Sequence, residues 1–573
     1  MSLTVWTQGC MTRIFPDQAI PPGGPRPVLL HAARGEVEAF QIGVHGVSAD
    51  LNDIYAMPSD LVSPTGATIP SEAVEVLYPE YVPVHWHSAG NAPDDLEGSA
   101  PGFYPDPLLK EPWRGVGRVQ FPGTLSLWVR VRVPLNAAPG DYAGTVTVAC
   151  KGGAVDVPFG VRVLGFALPE TSRFLMTNWL LPGPILQFHG IEPMTDEFWE
   201  VMALYAKNLA DHRQNVVLTP LFPMANAGGV VDGRASDQLV DITASSEREG
   251  DVEYAFDFTN LARWIELFFA HGFRLVEGGH LAGGSTNPSP IAIRDGASVE
   301  RRTFASTGAD DYRAFLRQFL TALRGFLSER GWTDRFCLHV SDEPHGDQFD
   351  AYTSLARFVK DMAPDIRLMD AMGSAEYAPF IDHPVPLESA YEEFTAQAGV
   401  VKDDVWFYYC CGPTGSWPNR FIDYPLIRTR IFTWLAFKHG IPGFLHWGLN
   451  HWGWHAPRYR AEQYNPYDNT TGGSLQAGDS YVLYPPRMPE ESHEPVDSIR
   501  WEIARKAMED YEYLVMLRDV AEGGGSDGAR ASEMLTEFEE RIVPSFTEHT
   551  RDAVYLEVFR RRAGRVIAQA ARS

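Results

Sequence analysis

Along the first 167 residues, apolar positions recur in short runs with period two. Residues 39–45 and 125–134 read as strands, the second alternating apolar and polar side chains, and residues 141–149 and 154–163 continue the style. Turn pairs such as Pro139-Gly140 and Gly152-Gly153 separate them. Short strands at even spacing with turn signals between them predict a β-sandwich over 1–167. No catalytic cluster lies in this stretch, so its expected role is structural or substrate-orienting. After Pro169 strands and helices alternate. Strands are expected at 174–178, 216–221, 273–280, from 336, at 366–372, near 385–391, at 405–410 and at 443–447. Helices are expected at 198–211, 261–270, 312–330, 349–362 and 427–438. About eight such units predict an α/β protein with a (β/α)8 TIM-like barrel over 168–520. Helical periodicity at 531–541 and 550–561 predicts a C-terminal helical extension, 521–573, laid on the barrel.

The fourth barrel strand stands apart. Phe336-Cys337-Leu338-His339-Val340-Ser341 is mostly apolar and ends in Asp342-Glu343-Pro344. Adjacent carboxylates at the tip of a buried strand are costly unless they serve something. Side chains on a regular strand alternate faces, so the pair can share a pocket only where the strand stops. Pro344 stops it and biases Glu343 toward an extended backbone. In a parallel barrel this tip lies on the face where catalytic residues gather.

Composition narrows the partners. A net charge of −26 argues against nucleic acid and anionic membrane surfaces, and no apolar run reaches transmembrane length. Five cysteines, with Cys410 and Cys411 adjacent, read as thiols rather than a disulfide framework. The start, Met1-Ser2-Leu3-Thr4-Val5-Trp6, lacks a basic segment followed by an apolar one, so no secretory leader is read and a cytoplasmic location is expected. Aromatics make up 12% of the chain, and many stand beside polar groups. That mixture suits a carbohydrate cleft, where sugar faces stack on rings and hydroxyls need hydrogen bonds.

Other strand ends collect the same residue types. Asn178 and Trp179 end strand one and His280 ends strand three. Tyr408 and Tyr409 lie near the end of strand seven, and His446, Trp447, Asn450 and Trp452 follow strand eight. The histidines lack tight metal-ligand spacing, so no metal and no cofactor are expected. Two carboxylates among aromatic walls suggest glycoside hydrolysis. An ordinary retaining enzyme takes its acid and its nucleophile from different strands, about 5 Å apart. Neighbouring acids fit substrate-assisted catalysis better. There the 2-acetamido oxygen of the sugar is the nucleophile, Asp342 orients the acetamido N–H, and Glu343 is general acid and then general base.

These residues resemble glycoside hydrolase family 123. The likeness rests on His339 to Pro344, on Trp406-Phe407-Tyr408-Tyr409-Cys410-Cys411-Gly412-Pro413 with Pro418-Asn419 after it, on Gly443 to Gly448, on Gly478 to Pro485, and on the helical segment from Asp497 to Leu514. It spans about 170–520. The resemblance implies a retaining β-N-acetylgalactosaminidase that forms an oxazolinium intermediate. It implies Asp342 as the acetamido-orienting residue and Glu343 as acid/base. Asn178, His280, Tyr408, Tyr409, Asn419, Trp447, Asn450 and Trp452 are expected around the sugar. Two other readings stay open: a two-carboxylate retaining glycosidase drawing its nucleophile from Glu388 or Glu392, and a non-catalytic carbohydrate-binding protein.

Overall fold

The computed structural model describes residues 3–46, 54–112, 123–150, 153–223, 237–248, 251–283, 286–295, 298–397, 399–452, 466–467, 475–488 and 492–572. The N-terminal third forms two sheets. One runs in the order Thr4–Gly9, Val37–His45, Thr124–Arg132, Val74–Val84, Gly102–Leu109, with every neighbour antiparallel. The other is built on the long hairpin Gly140–Cys150 with Gly153–Ala167, which Val28–Arg34 flanks in parallel. Val5, Ile42, Leu127 and Val129 of the first sheet share one apolar cluster with Leu30, Val146, Val157 and Phe159 of the second. Their inner faces therefore bury each other, as the period-two pattern requires.

Beyond this lie two parallel sheets. Leu175–Asn178, Gly443–His446 and Phe407–Tyr408 form one. Val216–Thr219, Leu275–Gly278, Phe336–Leu338, Arg367–Ala371 and His383–Val385 form the other. Backbone bonds run between the two sheets on both sides. Asn215 N–H donates to Met176 O at 3.4 Å, and Trp406 N–H to Pro384 O at 3.0 Å. A single apolar cluster takes Val216, Leu275, Cys337, Met369, Val385, Tyr408 and Leu445 from seven of these strands, with Leu175 of the eighth packed against it.

Several elements differ from expectation. The fourth strand is regular only over Phe336–Leu338. Beyond it, Val340 and Ser341 turn their N–H groups to the Asp370 carboxylate rather than to a neighbouring strand. The strand expected near 385–391 ends at Val385; Glu388–Ala390 is a 3-10 turn and Tyr391–Thr395 a short helix. Two antiparallel strand pairs, Asp241–Arg248 with Asp251–Asp257 after the second strand and Ile291–Asp295 with Ser298–Arg302 after the third, join through one parallel contact into a four-stranded layer. None of the helices among the described residues is long and apolar enough to cross a membrane.

The helix Ile499–Gly523 is buried for most of its length and carries charge on several faces. Each buried charge has a partner. Lys506 Nζ donates to Glu38 at 2.6 Å and Arg505 Nη1 to Val37 O at 2.6 Å, both in the N-terminal sheet. Asp510 receives Arg430 Nε at 2.6 Å and Trp434 Nε1 at 2.9 Å from the parallel-strand region. Arg560, on the C-terminal helix Ala553–Ala570, reaches Glu36, Glu38 and Asp510 together. The C-terminal helix thus packs on the N-terminal sheet as well as on the long helix. Among the described residues Arg560 is the sole cation paired with Glu36. Removing one partner of a buried ion pair leaves an uncompensated charge, at a cost of about 3–5 kcal/mol. Arg560→Met is expected to lower the unfolding free energy in urea by that order, and the urea midpoint with it. A midpoint unchanged within error would show that Glu36 finds water or a proton instead.

Candidate active site

The pocket opens over the tips of the parallel strands. It has a volume of about 320 Å³, within the range of small-molecule sites. Asp342 and Glu343 both line it, facing Trp179, His280, Tyr408 and Trp447. They share it because Glu343 has φ = +41°, in the left-handed region. The extended backbone expected before Pro344 is therefore not adopted. Glu343 N–H instead donates to Ala371 O at 3.2 Å on the next strand, and the turn swings the second acid to the side of the first. A non-glycine residue held there costs about 1–3 kcal/mol and persists where its surroundings over-determine it.

Those surroundings are charged. Directly beneath the pair, the fully buried His339 bonds Glu277 Oε1 through Nε2 at 2.6 Å and Asp370 Oδ1 through Nδ1 at 2.9 Å. Burial opposes its charge, but the hydrogen bonds and charges of Asp370 and Glu277 outweigh that and push His339 up to about 10. Glu277 Oε1 also receives Trp179 Nε1 at 2.7 Å, which fixes the indole at the pocket wall. Asp370 Oδ2 receives the Tyr352 hydroxyl at 2.8 Å. His280 stacks on His339 with centroids 4.2 Å apart, and burial, then the His339 charge, hold it well below the usual histidine range. Neutral His280 points Nε2 toward Asp342 Oδ1, 4.0 Å away, and that nitrogen has no hydrogen-bond partner among the described residues.

The two acids are treated differently. Burial, and then the neighbouring Glu343 charge, push Asp342 up to about 7. Glu343 accepts the Tyr408 hydroxyl on Oε1. Burial and the Glu343 charge in turn raise the Tyr408 phenol, so it stays a donor. No other carboxylate lines the cavity among the described residues. Glu388 is buried away from it with neither oxygen hydrogen-bonded among the described residues, and burial raises it far above the carboxylate range. Glu392 is exposed on a short helix.

The structure brings five of the ten expected site residues together: Asp342, Glu343, His280, Tyr408 and Trp447. It places the other five outside the cavity lining. Asn178 Nδ2 donates to Gln214 and its Oδ1 accepts from Arg420 at 2.5 Å; the next residue, Trp179, faces the pocket. Tyr409 likewise faces away from Tyr408 and packs on Phe444. Both follow from the alternation of side chains along a strand. Asn419 braces a turn, donating to Cys410 O at 2.9 Å and Pro413 O at 3.2 Å. Asn450 ties Leu181 through both its N–H and its carbonyl. Trp452 donates to Leu483 O at 2.7 Å. The lining also includes Cys410, Cys411 and His451, which follow the same strand ends and were legible by that position alone.

Two clusters have metal-like donor sets, and in both several donors are already engaged. The ligand atoms of His280, His339 and Asp370 lie within 4.8 Å of one another, but both His339 nitrogens are engaged by carboxylates. At His212, Asp497 and Glu502 the Arg130 guanidinium already sits on both acids, at 3.0 and 2.6 Å.

Comparison with known proteins gives two family-model matches. The catalytic domain of glycoside hydrolase 123 matches residues 179–517, and the glycoside hydrolase 123 N-terminal domain matches residues 27–150. Among solved structures, a family 123 glycoside hydrolase from Clostridium perfringens aligns over 100% of this chain and 98% of that one, with 15% identity and a TM-score of 0.72. A GH10 xylanase from Thermobacillus composti aligns over 58% of this chain and 97% of that one, at 11% identity and a TM-score of 0.28. A β-glucuronidase from Ruminococcus gnavus covers 82% of this chain and 65% of that one, at 8% identity and a TM-score of 0.29. No curated protein sequence matches the chain.

The raised Asp342 has a consequence for stability. Between the ordinary carboxylate value of 3.8 and about 7, the folded protein holds this proton more tightly than the unfolded chain. Stability is therefore lost as pH rises through that window. Asp342→Asn is expected to raise the thermal midpoint at pH 8, with the gain vanishing below about pH 4, the unfolded-chain value. A gain independent of pH would show that Asp342 carries no such penalty.

Proposed function

The chain belongs to glycoside hydrolase family 123 and is a glycoside hydrolase acting on a carbohydrate, and from that premise we propose that it removes β-linked N-acetylgalactosamine, or a related 2-acetamido sugar, by substrate-assisted retaining catalysis. The observation that carries this reading is the left-handed turn at Glu343, which puts two sequence-adjacent acids in one pocket that no other described carboxylate lines. A retaining enzyme needs a nucleophile, and here the sugar's own acetamido oxygen supplies it. Its attack on the anomeric carbon breaks the glycosidic bond and forms the oxazolinium ring.

Asp342 accepts the acetamido N–H, which sharpens the carbonyl oxygen and holds it under the anomeric carbon. Glu343 protonates the leaving oxygen, then takes a proton from the water that opens the ring. The Tyr408 hydroxyl on Oε1 restricts which Glu343 oxygen carries that proton. Trp179 and Trp447 offer apolar faces to the sugar ring, and His280 Nε2 offers a bond to a hydroxyl. This reading takes the eight parallel strands as a closed (β/α)8 barrel over 168–520. It takes 1–167 as a sandwich and 521–573 as a helical extension. The bonds from Asn215 to Met176 and from Trp406 to Pro384 support closure.

A panel of aryl N-acetylgalactosaminides, N-acetylglucosaminides and galactosides tests it. Turnover is expected for 2-acetamido substrates, with inhibition by a thiazoline analogue of the oxazoline. Comparable turnover of the 2-hydroxy galactoside overturns the mechanism. Glu343→Gln is expected to lower kcat by about 10²–10⁴-fold with folding intact, the usual range for a general acid/base. Asp342→Asn is also expected to be severe, and azide is not expected to rescue it.

A further inference from the structure

Two of the five cysteines stand apart from the rest. Cys10 and Cys337 are buried in apolar clusters, whereas Cys410 and Cys411 both line the sugar pocket. Their sulfurs lie 3.7 Å apart. The turn that carries them is held firmly. Asn419 Nδ2 bonds Cys410 O and Pro413 O, and Cys410 N–H donates to Gly412 O at 2.8 Å. Cys410 directly follows the tyrosines at the strand-seven tip, and Cys411 is exposed to the cavity and within electrostatic reach of Glu343. The mechanism above uses neither thiol. The pair is also asymmetric. Pairing with Cys410 pulls the Cys411 thiol down to about 7, while the same pairing and burial raise Cys410. Cys411 therefore has the character of an accessible thiolate nucleophile and Cys410 that of a protonated partner.

Neighbouring cysteines are poor candidates for a permanent disulfide. Consecutive Cα atoms are about 3.8 Å apart, shorter than the roughly 4.4–6.8 Å that ordinary disulfides span. A bond between them is strained and easily reduced, which is the behaviour of labile rather than structural disulfides.

We propose that Cys410 and Cys411 form a redox-sensitive vicinal dithiol in the wall of the catalytic pocket, which a peroxide oxidises reversibly to a disulfide that obstructs sugar binding. The inference rests on the pocket being the site of hydrolysis. In the first step the Cys411 thiolate attacks one peroxide oxygen. An S–O bond forms, the O–O bond breaks, and the departing oxygen leaves as alkoxide or hydroxide and takes a proton from water. The sulfur loses two electrons and the peroxide gains them. In the second step Cys410 sulfur attacks the Cys411 sulfenic acid. The S–S bond forms, the S–O bond breaks, and the hydroxide leaves with the Cys410 proton as water. Closing 3.7 Å to bonding distance has to move the Cys411 side chain and twist the turn beside Tyr408. The Tyr408 hydroxyl that bonds Glu343 lies two residues away.

The test treats the full-length protein with hydrogen peroxide. It then follows the mass of the 410–411 peptide and kcat/KM on an aryl glycoside that the reduced protein hydrolyses. The peptide is expected to lose two hydrogens and kcat/KM to fall on the order of tenfold, both restored by dithiothreitol. Cys411→Ser is expected to keep its own starting activity through the same treatment. Three results overturn the proposal: a peptide that gains oxygen without losing hydrogen, a disulfide that leaves kcat/KM unchanged, or a Cys411→Ser protein inactivated as the wild type is. Glu343→Gln separates the two readings. An inactive Glu343→Gln protein beside a wild type that forms no disulfide overturns the dithiol alone. A fully active Glu343→Gln protein overturns the pocket assignment on which it rests.

Discussion

A charge buried in a protein interior has to be paired, and the charge on which this pocket rests is the His339 imidazolium. It sits on the strand that carries the acids and bonds a carboxylate on each flanking strand, Glu277 at 2.6 Å and Asp370 at 2.9 Å. Three adjacent strand tips are thereby locked together one layer below the two acids. The same two carboxylates serve the pocket above. Glu277 aims the Trp179 indole, and Asp370 takes the Val340 and Ser341 N–H groups that a longer strand would have paired. Such a cluster contributes little net stability compared with an apolar core, because desolvating the ions consumes most of the attraction. What it supplies is position: a buried ion with two fixed partners has one geometry.

That layer also sets the electrostatics of the acids. Burial, and then the His339 charge, keep His280 neutral, so the imidazole nearest Asp342 brings a dipole rather than a second cation. His339 itself favours an ionised Asp342, but burial and Glu343 oppose it more strongly and leave that acid up at about 7. Asp342 thus takes up or releases its proton under mild conditions. An isolated surface Asp-Glu would have no such property. It comes from placing the acids side by side, half-covered, above a paired cation.

The sequence exposed this site unevenly. The tip of strand four was legible because Asp342-Glu343-Pro344 breaks an apolar run, and Tyr408 and Trp447 were legible because they occupy equivalent tips. The phase of each strand end was not. Composition cannot say whether Asn178 or Trp179, or Tyr408 or Tyr409, faces inward, since one residue of register reverses the faces. Asn419, Asn450 and Trp452 belong to the tip loops, yet they bond backbone carbonyls and N–H groups there. The backbone at Glu343 was hidden for another reason. A following proline disfavours compact conformations, and only the bond to Ala371 on a neighbouring strand, a tertiary contact, selects the left-handed one. The four-stranded layer inserted after strands two and three and the early end of the sixth strand at Val385 were missed in the same way.

The N-terminal sheets help to explain how long loops can carry a precise site. The segment after strand seven turns through Cys410 and runs on to Asp423 with little regular structure, so its backbone groups need partners from elsewhere. Asn419 meets part of that need from within. The N-terminal region meets more. Ser88 donates to Asp423 from its N–H and its hydroxyl, both at 2.7 Å. Asn91 accepts Gly415 N–H at 2.9 Å, and Arg13 reaches Tyr424 O at 2.6 Å. Ala89 N–H bonds Gln476, the neighbour of the pocket residue Leu475. The first region of the chain therefore braces one wall of the pocket from outside, while His339 fixes its floor from below. Loop residues become precise when a rigid second layer holds them, and here that layer comes from a part of the chain that places no side chain among the described pocket lining.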